Sequence, residues 1–108
     1  MTALPSMTFT APLWRWSARR ETADPSAWCF VTLPPEVSEA VRDLAGEPRG
    51  FGSVRVHAEV AGTRWDTSVF PDATSGSFVL PVKKAVRLAA EVGEGDDLTV
   101  TLSLRDQP

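Results

Sequence analysis

The chain is short of the residues that most site chemistry uses. Its 108 residues hold one cysteine, one histidine, two methionines and no tyrosine. With Cys29 alone, no intrachain disulfide can form. This cysteine sits in the apolar run Trp28-Cys29-Phe30-Val31, where a thiol serves as a small hydrophobe. The lone His57 cannot assemble a zinc site, and no second His or Cys stands at ligand spacing. The expectation is therefore no metal and no cofactor. No apolar run approaches the roughly 20 residues that cross a bilayer. The opening Met1-Thr2-Ala3-Leu4-Pro5 lacks the basic-then-apolar pattern of a secretory signal. Those two absences predict a cytoplasmic protein with no membrane association. Cations are also in deficit, 11 Lys and Arg against 14 Asp and Glu for a net charge of -3. That balance argues against a general nucleic-acid coat or a binder of anionic membranes, leaving a small molecule or a protein as partner, with the chain a monomer or homodimer.

What is present is a unit used twice. Phe30-Val31-Thr32-Leu33-Pro34 is followed by a helix-like run, a glycine turn and an alternating strand. Phe78-Val79-Leu80-Pro81 is followed by the same succession, and both helical runs contain Ala-Val-Arg, at residues 40–42 and 85–87. A chain of this length makes one domain, 1–108, with residues 7–104 as its ordered body.

Period-two alternation marks the strands. Met7, Phe9, Ala11 and Leu13 share one face, and Trp14 and Trp16 take the other, so a bend is expected beside Pro12. Residues 19–26 are polar and turn-rich. Residues 27–33 form a strand with apolar residues on both faces. Val37, Ala40, Val41 and Leu44 then stand at helical spacing over 36–45. Val54, Val56, Ala58 and Val60 face inward, with Arg55, His57 and Glu59 outward, before a short hairpin turn at Ala61-Gly62-Thr63. Trp65, Thr67 and Val69 continue on the next strand, with Asp66, Ser68 and Phe70 on its other face, and residues 71–76 read as a loop. Residues 77–80 make a short strand, 82–92 a second helix, and Leu98, Val100, Leu102 and Leu104 the buried face of a last strand. Six strands and two helices predict a mainly β protein, a small closed or nearly closed barrel, because closure removes exposed edges.

These residues, in order, resemble a known family. Trp28-x-Phe-Val-x-Leu-Pro, Arg49-Gly50-Phe51-Gly52-x-Val54-x-Val56, Trp65-x-Thr67-Ser68-x-Phe70-Pro71, Leu80-Pro81-Val82-Lys83-Lys84-x-Val86-Arg87 and Gly95-Asp96 are similar to the bacterial family called domain of unknown function 1905. The likeness runs from about Met7 to Leu104. It implies a six-stranded double-split β-barrel, the fold class of the AbrB- and MazE-like regulators, with the two halves as a pseudo-dimer in one chain. It brings no assigned reaction.

The residues that could carry a site are few. Lys83 and Arg87 stand four apart on the second helix, and Lys83 and Lys84 are the only lysines. Like charges at that spacing repel mildly, by about 0.2–0.5 kcal/mol, so an anion that both contact would relieve them. Pairing with Glu36, Glu39 or Asp43 of the first helix is the alternative. His57 is read as an exposed strand residue, with a general base as its functional reading. Ser68 is not in a Gly-x-Ser-x-Gly elbow, and the carboxylates are scattered, so neither a triad nor an acid–base pair can be named. The four tryptophans are expected mostly in the core, unless Trp14 and Trp16 mark a partner surface or a pocket mouth.

The leading expectation is thus a small binding or interaction module for an anionic ligand or acidic partner, through Lys83, Arg87, His57, Ser68 and Trp65, without catalysis. One alternative is an AbrB-like DNA-binding regulator, which the acidic balance disfavours. The other is a small pocket enzyme, such as a cyclase or isomerase, using His57, Ser68, Lys83 and Arg87.

Overall fold

A computed structural model describes residues 6–15, 28–45 and 52–105. The expected loop at 19–26, Trp16 and the glycine–proline stop after the first helix lie outside the described residues. The element order is β1 (Ser6–Pro12), β2 (Trp14–Arg15), β3 (Cys29–Thr32), α1 (Pro35–Ala45), β4 (Val54–Val60), β5 (Thr63–Asp72), β6 (Ser77–Pro81), α2 (Lys84–Ala90) and β7 (Asp97–Leu104). All seven strands join one antiparallel sheet in the order β1-β7-β4-β5-β6-β3-β2.

The described residues form seven strands rather than the expected six, and Leu13 is the reason. It divides the first strand in two. The part before it pairs with β7, Phe9 opposite Val100. The part after it pairs with β3, Trp14 opposite Phe30. One short stretch therefore serves both ends of the strand order, and the sheet curls into a half-barrel. Leu13 is itself fixed by the turn before β7, where its N–H donates to the Asp96 carbonyl at 2.8 Å and its carbonyl accepts from Gly95 N–H at 2.8 Å. The bend expected near Pro12 is this hand-over.

The repeated unit is visible as strand pairing. The first strands of the two units, β3 and β6, pair with each other, and so do the last, β4 and β7. The ten residues of β5 bridge β4 to β6, as β1 and β2 together bridge β7 to β3. The inner face of the curl collects the alternating apolar residues: Phe9, Ala11 and Leu13, then Val54 to Val60 in steps of two, then Leu98 to Leu104 likewise, all buried. Val41 of α1 and Val86 of α2, the centres of the two Ala-Val-Arg runs, are buried to 0% and 1% exposure and anchor the helices to this core.

Three boundaries differ from the sequence reading. β5 runs on through Pro71 and Asp72, which pair with Phe78 and Ser77. Its pairing with β4 ends at Val69, so Pro71 lies where no donor is needed on that side. α2 is only seven residues long. The Val82 N–H is taken by the Cys29 carbonyl at 2.9 Å, which keeps that residue on the sheet, and Lys83 is extended at φ -70°, ψ 160°. At the other end Glu91 adopts a left-handed conformation, φ 58°, and the Glu91 and Val92 amides bond back to the Leu88 and Arg87 carbonyls, closing the helix in a Schellman turn. Finally, Leu44 is exposed and Ser38 is buried in its place on α1. The chain leaves the sheet after Leu33, so the Phe78 amide turns to α1 and donates to Ser38 Oγ at 3.0 Å.

Candidate functional site

A cleft of about 390 Å³ opens between Trp28 and Cys29 at the start of β3, Trp65 on β5, and Lys83, Lys84 and Arg87 around the start of α2. Each wall follows from local structure. The Val82 bond to Cys29 makes the chain turn a corner beside β3, and the extended Lys83 puts both lysines on that corner. Val86 anchors the short helix, and its neighbour Arg87 donates from Nε to the Val82 carbonyl at 3.2 Å, so the guanidinium folds back over the same corner. Trp65 is half-buried, packed on the core opposite the small Ala58, which leaves room for an indole. Cys29 is buried, as a thiol in an apolar run should be.

Three of the five residues singled out in the sequence meet here: Lys83, Arg87 and Trp65. The expected pairing of the cations with α1 is not how the lysines are used: among the described residues neither Lys83 nor Lys84 makes an ion pair with a carboxylate. Among the described residues, one carboxylate, Asp66, borders the cleft.

His57 lies around the corner, on the outer face of the sheet. A shallower depression there is lined by His57, Arg64, Trp65 and Asp66, so Trp65 and Asp66 are common to both. His57 is opposite Asp66 in the β4–β5 ladder and donates from Nδ1 to Asp66 Oδ1 at 2.6 Å. Arg105 Nε stands 3.7 Å from Asp66 Oδ2. The His57 hydrogen bond, helped by the positive charge of Arg105 and Arg64, holds the Asp66 carboxyl below its ordinary range. Asp66 is thus a charged group already engaged on the outer face, while Lys83, Lys84 and Arg87 line the cleft beside it. Ser68 is not brought to either place; it is half-buried on the outer face, opposite Arg55.

Of the three described tryptophans none is fully buried, contrary to the expectation of a mostly core role. Trp14 stacks on Phe30 with ring centroids 5.1 Å apart and donates from Nε1 to Thr32 Oγ1 at 2.9 Å. Trp28 stacks on Phe30 at 6.1 Å and is 65% exposed at the cleft mouth. Among the described residues, the exposed tryptophan at the cleft mouth is Trp28.

The sequence reading missed Trp28, Lys84 and Asp66 as site residues. Asp66 had a usable signal, because it and His57 are equally far from the Ala61-Gly62 turn and must oppose each other in a hairpin. Trp28 had none, since its approach to Lys83 depends on β3 pairing with β6. Among the described residues no group of three or more His, Cys, Asp or Glu side chains is placed to hold a metal ion. No helix among them is long and apolar enough to cross a membrane.

No curated protein is significantly similar to this chain. The family model described as domain of unknown function (DUF1905) matches residues 9–102, which takes in both helices, strands β2 to β6, most of β1 and β7, and the described residues of the cleft. The chain belongs to that family.

Proposed function

We propose that the protein is a cytoplasmic binding module that takes a small anionic ligand in the cleft beside α2. The observation that carries this is the convergence of Lys83, Lys84 and Arg87 with two tryptophans around one opening of about 390 Å³. Sites for small molecules run from about 300 to 1,000 Å³ and pair apolar walls with a few directed polar groups. Both lysines of an acidic chain fall at this one place. Arg87 offers a planar donor fork, and the lysines offer mobile point charges, a combination suited to a carboxylate or phosphate.

The charge distribution favours this over a DNA-binding regulator. Arg64 and Arg105 each stand 3.7 Å from a carboxylate, of Glu59 and Asp66, so the outer face of β4 and β5 mixes signs instead of building a basic stripe. A second reading has one observation behind it: the His57–Asp66 pair, beside Trp65, is an imidazole oriented by a carboxylate, as a general base in a small pocket enzyme would be. We read the fold as a double-split barrel, since one stretch serves both ends of the sheet and the two units pair strand with like strand.

Calorimetric titration with benzoate and with pyrophosphate tests the binding reading. Wild-type protein should bind at least one of them, and Lys83→Ala with Arg87→Ala should abolish that binding while Ser68→Ala leaves it unchanged. Equal binding by the double variant and the wild type would overturn it.

A further inference from the structure

We infer that the ligand is a planar aromatic acid of one or two rings, with its ring stacked on Trp28 and its anionic group held by Lys83, Lys84 and Arg87. The inference rests on the cleft being an anion site, and adds what the anion must be attached to.

The observation is an unfinished stack of rings. Trp14, Phe30 and Trp28 follow one another across the outer face of β2 and β3, with centroid separations of 5.1 and 6.1 Å and interplanar angles of 28° and 20°. The first ring is half-buried and tied down by the bond from Trp14 Nε1 to Thr32. The last, Trp28, leans on Phe30 and is 65% exposed. That exposure does not lie on a featureless surface, because Trp28 lines the same cleft as the three cations and Trp65. A near-parallel stack that ends on an open indole, at the mouth of a cleft, is prepared for one more flat ring. Offset-stacked rings add attraction beyond the apolar area they cover. The stack also holds Trp28 in place before the ligand arrives, so little side-chain freedom is lost on binding.

The size of the site bounds the ligand. A cleft of about 390 Å³ lies near the lower end of small-molecule sites. It has room for a one- or two-ring carboxylate or phosphate. Saturated acids of the same charge would satisfy the cations and cover Trp28 without the added attraction of a stacked ring.

The test compares 2-naphthoate with decalin-2-carboxylate, equal in charge and ring skeleton but different in planarity, and 2-naphthol as a ring without the acid. Wild-type protein should bind 2-naphthoate roughly tenfold more tightly than the saturated acid, and 2-naphthol weakly. Trp28→Ala should bring the two acids to equal affinity, whereas Trp28→Phe should keep most of the preference for 2-naphthoate. Trp28 is exposed, and unchanged far-ultraviolet circular dichroism establishes that its variants fold. Equal binding of the two acids by the wild type, or a Trp28→Ala protein that still prefers 2-naphthoate, overturns the aromatic inference while leaving the anion site standing. Failure of both acids while pyrophosphate binds overturns the aromatic inference alone, and failure of both acids, benzoate and pyrophosphate overturns both.

Discussion

Replacing Ser38 by alanine should destabilise the protein although it removes a single oxygen from the first turn of a helix. Ser38 is 2% exposed, and its Oγ accepts the Phe78 N–H at 3.0 Å across the junction of α1 and β6. The strand cannot take over this donor. The chain has left the sheet beside Phe78 and continues as Pro34 and α1, so the amide would be buried without a partner. An unsatisfied buried donor costs about 1–3 kcal/mol. Against that, alanine is the better helix former by about 0.5 kcal/mol. The net expectation is a loss of roughly 0.5–2.5 kcal/mol, and for a domain near 100 residues each kcal/mol lowers the midpoint by about 4 °C or more. Urea titration and thermal melting followed by circular dichroism measure it. The exposed neighbour variant Glu39→Ala supplies the control, expected within about 0.5 kcal/mol of wild type. A Ser38→Ala protein as stable as that control would refute the claim that this hydroxyl joins the helix to the sheet.

The same reasoning gives two further expectations. Glu91 holds a left-handed conformation at φ 58° to close α2, so Glu91→Gly should stabilise by about 1 kcal/mol in the urea midpoint, and a loss would contradict the strain argument. For Asp66, the folded carboxyl titrates below its ordinary value of 3.8, chiefly through the His57 bond. A depressed acid contributes stability that is present above the unfolded value and is lost as pH falls through the folded one. Asp66→Asn should therefore melt below wild type at pH 5–7, with the gap closing below about pH 3.8; a gap that persists at pH 2 would show that charge is not its source.

The sheet was legible wherever alternation and burial coincide. Val54 to Val60 and Leu98 to Leu104 bury the residues that a period of two assigns to the inner face. The split at Leu13 was legible only as a bend. A parity change cannot tell which two strands the halves will join, and that pairing links residues far apart in sequence. The length of α2 was misread for a related reason. Val82, Ala85, Ala89 and Val92 have helical spacing, but Val82 belongs to the sheet through Cys29, and Ala85 and Ala89 are exposed. Composition marked Lys83 and Arg87, since cations are few in this chain. Their companionship with Trp28 and Trp65 needed three strands and a helix to be placed together. The repeat builds the frame on both sides, and the cleft forms on the side where Trp65 and the lysines break it.

The most direct test of the central claim, that this cleft is a binding site for an aromatic anion, is a nitrogen-15 chemical-shift map of the protein titrated with 2-naphthoate. The account predicts shifts concentrated at Trp28, Trp65 to Thr67 and residues 82–87, including the indole N–H signals of Trp28 and Trp65, and their loss in the Lys83→Ala, Arg87→Ala protein. Shifts confined to the outer Thr8 and Thr101 face, or an unchanged map in the double variant, would contradict it.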